Sequence, residues 1–171
     1  VTTFAGNLAE ALQAQLGFLI QDPRIREKIE VLNVDRLAYR IVRQARGTPV
    51  IADERTLRPR WTEAAKAGPF TPAFLKNEWE QVILAQDLQT ERAYLTCART
   101  GRGRPLTKAQ RSQVWQATQQ VTAELKAAHQ ATHLQLANEA TRLLRQAGTL
   151  AYRHILVDEA RDRVYITYSG Y

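Results

Sequence analysis

Residues 152–162 read YRHILVDEARD, and this stretch decides how the fold is interpreted. The apolar segment 152–157 predicts a core strand, and Asp158 and Glu159 follow directly at its end. In this position Asp158 can bind a magnesium ion through water, and Glu159 can orient or deprotonate an attacking water. The alternative is structural: Asp158 caps the following helix, and Glu159 lies in its first turn.

A site that hydrolyses a nucleotide also needs groups that hold the phosphates. The 171-residue sequence contains no G-x-x-x-x-G-K-[ST] segment, the glycine-rich loop that often does so. Residues 152–162 therefore predict only the half of such a site that handles magnesium and water. We expect Asp158 to act as a metal ligand only in an intact site.

The composition is that of an ordinary globular domain. Hydrophobic residues make up 44%, yet no apolar run approaches the roughly 18 residues that cross a bilayer, so we expect no membrane partner. The single cysteine, Cys97, cannot form a disulfide within the chain, which favours a cytoplasmic location. The sequence has no methionine, so we expect a domain, a processed chain or a fragment.

Positive charge is concentrated in one segment. The net charge is +7, and arginine supplies most of it; the planar guanidinium suits phosphate better than an ammonium does. The segment 99–111 contains two glycines and five cationic residues, which are Arg99, Arg102, Arg104, Lys108 and Arg111. We predict phosphate contacts from these five side chains. The alternatives are a solvated basic loop and, for the whole chain, a genome that favours arginine codons.

Hydrophobic periodicity predicts a mainly α fold with a few β-strands near the termini. Apolar residues recur at helical spacing over most of the chain, and short apolar runs occur near both ends. Residues 48–72 carry several prolines and predict a connector with short helical pieces. The predicted helices cover residues 3–20, 36–46, 71–85, 90–99 and 107–146, the last with a break near 129–133, and the predicted strands cover 29–34, 152–157 and 164–168.

Local signals predict where several helices begin and end. Asp35, Thr71 and Thr107 can each accept a hydrogen bond from a free amide at a helix N-terminus, and Pro72 suits the first helical position. Gly47 can end the helix that Asp35 begins.

Three segments in order resemble motifs of the UvrD/Rep/PcrA-type superfamily 1 DNA helicases. Residues 158–162 (DEARD) resemble D-E-x-Q-D, which follows an apolar strand in that family. Residues 2–9 (TTFAGNLA) resemble the motif after the phosphate loop, where T-F leads into a helix. Residues 33–43 (NVDRLAYRIVR) resemble T-F-H-x-L-A and its amphipathic helix. Between them lies a pattern similar to Y…R-x-G-R-G…R…W of some members, with Tyr94, Arg99, Arg102, Arg111 and Trp115.

The resemblance implies an architecture and a function. Residues 1–52 and 148–171 would be a remnant of motor subdomain 1A, and residues 53–147 would be the inserted helical subdomain 1B. In the intact enzyme ATP and Mg²⁺ bind, Asp158 and Glu159 are catalytic, and hydrolysis drives movement along single-stranded DNA. Thr3 and Phe4 would lie near the DNA track, where Phe4 could stack on a base or, alternatively, serve as a core residue.

The sequence also departs from the family pattern. Arg161 replaces the glutamine of the carboxylate motif, and Asp35 replaces the histidine of T-F-H. Without a phosphate loop, we expect no bound ATP or Mg²⁺ and no ATPase activity from this chain alone. The rival interpretations are a non-enzymatic helical nucleic-acid-binding module and an interaction scaffold without a nucleic-acid role.

The partners implied are single-stranded or junction DNA, the remaining helicase domains and a second copy of the chain. A strand at 152–157 without its family neighbour would present an apolar edge that favours pairing with another chain. We therefore predict self-association through residues 1–20 and 152–171. The alternative is a hairpin in which residues 164–168 pair with 152–157.

Overall fold

The computed structural model describes residues 2–3, 6–101, 105–148 and 154–156. The chain forms two compact units. Unit 1 consists of Val1–Gly47 and Glu139–Tyr171, and unit 2 consists of Thr48–Asn138. The assignment of residues 1–52 and 148–171 to a motor remnant, and of 53–147 to an insertion, stays a prediction.

The fold is mainly helical, as the hydrophobic periodicity predicts, with 69% helix against 4% strand. The described residues form eight α-helices: α1 Gly6–Leu19, α2 Pro23–Arg26, α3 Val34–Arg46, α4 Glu54–Ala64, α5 Pro72–Glu78, α6 Glu91–Thr96, α7 Lys108–Ala127 and α8 His133–Ala147. The predicted break in the long C-terminal helical region is confirmed, because α7 ends at Ala127 and α8 starts at His133.

The described strands form two parallel pairs of two residues each. In unit 1, β1 (Thr2–Thr3) pairs with β2 (Leu32–Asn33). In unit 2, β3 (Val50–Ile51) pairs with β4 (Gln130–Ala131). The β3–β4 pair lies outside the segments for which strands are predicted from the sequence. Strands this short carry no alternating pattern, so their formation depends on contacts distant in sequence.

Unit 1 contains a β1–α1–α2–β2 connection that continues directly into α3. Helix α1 packs against both strands. Asn33 is the N-cap of α3, because its Oδ1 accepts hydrogen bonds from the backbone amides of Asp35 at 2.9 Å and Arg36 at 3.2 Å. Asp35, the predicted cap, lies instead in the first turn. The helix ends at Gly47 as predicted, with a φ of 91° that favours glycine.

Unit 2 is built around large aromatic side chains. Trp61, Trp79 and Tyr94 are buried, and the rings of Trp61 and Trp79 meet edge to face with centroids 5.2 Å apart. Helices α4, α5 and α7 pack on one another, and α6 packs on α7. Each of these helices begins at an N-cap residue whose side chain accepts a hydrogen bond from a backbone amide; these residues are Asp53, Thr71, Thr90 and Thr107.

Helix α5 continues into a π-helix over Trp79–Leu84. The backbone amide of Ala85 donates to the carbonyl of Glu80 at 3.1 Å, five residues back. The amide of Leu88 donates to the carbonyl of Ile83 at 2.9 Å in the same way. This wider turn keeps Trp79, Val82 and Ile83 all buried in the core of unit 2.

The predicted C-terminal strands are only slightly covered by the structure. The three described residues His154, Ile155 and Leu156 adopt no regular secondary structure, so the strand predicted over 152–157 is not formed at these positions. The rest of that segment and the predicted strand at 164–168 lie outside the described residues.

Candidate nucleic-acid interface

The predicted site residues fall into two groups. Asp158, Glu159, Phe4, Arg102 and Arg104 lie outside the described residues, so the predicted catalytic carboxylates, the magnesium ligand and part of the predicted DNA contact stay predictions. Thr3, Arg99, Lys108 and Arg111 lie in the part of the chain that the structure describes.

Thr3 lies in β1 and pairs with Asn33 in β2. This pairing brings together two segments that are about thirty residues apart in sequence and that each resemble a helicase motif. Asn33 is buried and caps α3, so the end of β2 and the start of α3 are fixed at this point.

Arg99 lies in the interior of unit 2. Its Nη2 donates to Oε2 of Glu78 at 2.8 Å, and its Nε donates to Oε1 of the same carboxylate. The side chain of Arg99 is 5% exposed and that of Glu78 is 0% exposed. Two parallel hydrogen bonds between a guanidinium and a carboxylate form the strongest geometry available to this pair.

Tyr94 completes this arrangement, because its hydroxyl donates to Oε1 of Glu78 at 2.9 Å. Burial, followed by the charge and hydrogen bond of Glu78, raises the pKa of Tyr94 far above its ordinary value. The hydrogen bond to Glu78 raises the pKa of Arg99. Tyr94 is therefore a neutral donor and Arg99 a permanent cation, and both stabilise one buried carboxylate.

Arg111 is held by the end of α6. Its Nη1 donates to the carbonyls of Tyr94 at 2.9 Å, Leu95 at 3.2 Å and Cys97 at 3.1 Å. Its guanidinium also lies 5.9 Å from the centre of the Tyr94 ring. A cation at this position satisfies carbonyls that the last turn of a helix leaves without partners.

These contacts give Arg99 and Arg111 a structural role on either side of the segment 100–106. Glu78 fixes Arg99 from α5, and Arg111 fixes the end of α6 from α7. The guanidinium of Arg99 is buried, which argues against the predicted phosphate contact of this residue. The sequence offers one signal for the missed partner: Glu78 lies among apolar residues on the buried face of α5, where a carboxylate needs a cation.

Cys97 lies beside this network. The pKa of its thiol is raised, mainly by burial. The thiol donates a hydrogen bond from Sγ to the carbonyl of Tyr94 at 3.2 Å. A thiol that stays protonated is a poor nucleophile. Cys97 is therefore part of the packing around Tyr94.

Lys108 differs from Arg99 and Arg111 because its side chain is exposed. It is the first residue of α7, which a reciprocal capping box begins. The amide of Gln110 donates to Oγ1 of Thr107 at 3.2 Å, and the amide of Thr107 donates to the side chain of Gln110 at 3.0 Å. Lys108 is therefore presented to solvent from a well-defined helix start.

The described residues contain no group of three or more His, Cys, Asp or Glu side chains that could hold a metal ion. None of their helices combines the length and apolar character needed to cross a bilayer.

No protein-family model matches the chain, and no curated protein matches it significantly.

Proposed function

We propose that this chain is part of a UvrD-type DNA helicase and that it supplies the carboxylate motif and a helical nucleic-acid-binding unit. The observation that carries the proposal is the parallel β1–β2 pair. It brings together the segments 2–9 and 33–43, which resemble two successive helicase motifs, with α1 and the short α2 as the connection. A parallel pair with a crossover helix is the unit from which nucleotide-binding α/β sheets are built.

Within this proposal the carboxylates have separate roles. Asp158 would hold Mg²⁺ through water, and Glu159 would orient and deprotonate the attacking water. Carboxylate oxygens are suitable donors for Mg²⁺, which would neutralise the charge that develops on the transferring phosphate. Because the printed sequence has no glycine-rich phosphate loop, these two residues complete an ATP site only together with another segment.

The proposed DNA contact lies at the Gly-Arg loop, residues 99–105, and at the start of α7. Arg102, Arg104 and Lys108 would bind phosphates, while the buried Arg99–Glu78 pair and Arg111 hold the helices on both sides of the loop. In unit 1, Thr3 and Phe4 would contact the single-stranded DNA. The lone cysteine and the proposed DNA substrate agree with a cytoplasmic location.

Salt dependence of binding tests this contact. The logarithm of affinity for a fluorescent single-stranded oligonucleotide should fall linearly with the logarithm of salt concentration. Arg102→Ala with Arg104→Ala should reduce the slope by about 1.4, since each phosphate contact on a single strand contributes about 0.7. An unchanged slope would show that the loop is merely a solvated basic segment.

Enzymatic assays test whether the chain carries only the part of an ATP site that handles magnesium and water. The chain alone should show no DNA-stimulated ATPase activity, because the groups that hold the phosphates provide much of the transition-state stabilisation. Turnover in the range of about 1–100 s⁻¹ would contradict this expectation. The genomic reading frame provides a second test: a G-x-G-K-[ST] segment within about 30 codons upstream of Val1 would support the helicase, since a strand, loop and helix occupy roughly that length.

A non-enzymatic helical nucleic-acid-binding module is the second candidate. The observation in its favour is that unit 2 encloses its own aromatic core and its own buried ion pair. If the upstream reading frame encodes nothing resembling a helicase while salt-dependent binding persists, this second candidate replaces the first.

A further inference from the structure

Helix α3 in unit 1 carries a row of arginines that the Gly-Arg loop does not include. Arg36, Arg40 and Arg43 follow one another at spacings of four and three residues, so they share one face of the helix. The inward face is formed by Ala38 and Val42, which are buried. By helical spacing the arginine row lies opposite this buried face.

The charge on this face is poorly neutralised within the described residues. Arg40 binds Glu30 through two hydrogen bonds of 2.5 and 3.2 Å. Arg36 and Arg43 are exposed, and no ion pair of either is found in the part of the chain that the structure describes. They lie one turn on either side of Arg40. The single acidic residue of α3, Asp35, lies well to the side of the row.

The end of the helix extends the basic surface. Arg46 donates through Nε to Oε1 of Glu139 at 3.3 Å, and Arg142 of α8 donates to Oε2 of Glu139 at 2.9 Å. Burial alone would raise the pKa of Glu139, but the hydrogen bonds and charges of Arg142 and Arg46 outweigh it and lower the pKa. One ionised carboxylate therefore holds two guanidiniums near the C-terminal end of the row.

We propose that the arginine row of α3, centred on Arg36 and Arg43, binds the phosphodiester backbone of single-stranded nucleic acid. The inference rests on the proposed nucleic-acid function but uses a surface in the other unit. Arginine presents a planar fork that fits phosphate oxygens. Tyr39, partly exposed beside Arg36 and Arg43 by helical spacing, offers a ring on which a base can stack.

The same features argue against a lipid surface as the ligand. A helix that binds a membrane inserts an apolar face between the headgroups. The apolar residues Ala38 and Val42 of α3 are instead buried in unit 1. The exposed face offers charge and hydrogen-bond donors, which suits a polyanion in water.

The test compares two pairs of exposed helical arginines in the full chain. Arg36→Ala with Arg43→Ala should reduce the salt slope of oligonucleotide binding by about 1.4. The control pair, Arg55→Ala with Arg58→Ala on α4, should leave the slope unchanged, since both residues are exposed but belong neither to the α3 row nor to the Gly-Arg loop. Circular dichroism should show that both variants keep their helix content, because alanine is a better helix former than arginine.

A conservative variant separates geometry from charge. Arg36→Lys with Arg43→Lys should retain the slope and weaken binding several-fold, because lysine keeps the charge but lacks the fork. Equal slopes for wild type and the α3 alanine variant would overturn the proposal, as would an equal loss in the α4 control. Equally tight binding to phosphatidylserine vesicles or to polyglutamate would also overturn it.

The loop and helix experiments give separable answers. If the α3 variant loses slope while the Arg102 and Arg104 variant does not, the α3 surface stands and the proposed loop contact fails. The reverse result overturns the α3 surface and leaves the proposed function intact.

Discussion

The two units bury very different side chains. Unit 2 encloses Trp61, Trp79 and Tyr94 together with the Arg99–Glu78 pair. Among its described residues, unit 1 buries mainly small side chains, including Ala9, Ala38, Val42 and Ala140. It leaves large apolar side chains in water: Phe18 is 83% exposed, Leu19 is 78% exposed and Ile25 is 51% exposed.

The two units therefore differ in how much apolar burial their described residues provide. Burial of large apolar side chains is the main driving force of folding, and unit 2 obtains it from its own helices. In unit 1, three large side chains on α1 and α2 would gain free energy from a further contact. Exposed apolar side chains of this kind are typical of a surface that a partner covers, and in the proposed helicase that partner would be another domain or a second copy of the chain.

The largest effect is expected from a substitution in the interior of unit 2. Glu78→Ala should lower the free energy of unfolding by about 3–5 kcal/mol, because it leaves the Arg99 guanidinium buried without its carboxylate. Urea denaturation followed by tryptophan fluorescence reports this unit directly, since all three tryptophans lie in it. Glu63→Ala is the control, because Glu63 is exposed and pairs with Lys66 at the surface. Equal stability of the two variants would contradict a structural role for the pair.

The second effect concerns the exposed surface of unit 1. Phe18→Gln with Leu19→Gln should weaken self-association at least tenfold, because each side chain buried in a dimer contributes about 1.5–3 kcal/mol. Light scattering over a range of concentrations measures the change. Val50→Gln, an exposed apolar position of unit 2, should leave association unaffected. A strictly monomeric wild type would rule out strand exchange and support the alternative hairpin of residues 164–168 with 152–157.

A smaller effect should follow from the start of α7. Thr107→Ala removes the hydroxyl that accepts a hydrogen bond from the Gln110 amide and should cost about 1 kcal/mol. Thr62→Ala provides a control of opposite sign. The Thr62 hydroxyl donates to the carbonyl of Arg58 within α4, and alanine is the better helix former there. The same urea denaturation measures both changes. A Thr107 variant as stable as wild type would show that the capping box does not stabilise unit 2.

The smallest effect is a pH dependence in unit 1. Because Arg142 and Arg46 lower the pKa of Glu139 in the folded state, its ionisation stabilises unit 1 above the unfolded glutamate pKa of about 4.3. This contribution is lost as the pH falls through the lower, folded value. Glu139→Gln should flatten that part of the stability profile measured by circular dichroism. An identical acid profile in the variant would show that the two ion pairs are too weak to matter.

Local signals are sufficient for part of the fold. The helix start at Thr71 and Pro72, the start at Thr107 and the end at Gly47 are confirmed, because each depends on a cap or a backbone angle set by neighbouring residues. Helix α4 is longer than the short pieces predicted for the proline-rich connector. It contains Pro59, but the cap at Asp53 and the buried face of Leu57 and Trp61 outweigh this unfavourable residue.

Contacts between distant residues could not be predicted in the same way. The sequence indicates that Arg99 is cationic, but nothing local shows that it points inward to Glu78, 21 residues earlier. The β3–β4 pair joins residues about eighty positions apart. The arginine row of α3 follows from helical spacing, but only burial of Ala38 and Val42 shows which face is exposed.

The π-helix at Trp79–Leu84 lets this segment change in length by one residue. A π turn accommodates one residue more than an α turn, which is how an insertion into an ancestral α-helix would be absorbed. Loss of the exposed Gln81 would therefore return the segment to α-helical pitch while the residues on either side of it stay on the core face. Homologous sequences should accept both replacement and deletion at this solvent-facing position, whereas Val82 and Ile83 should stay apolar.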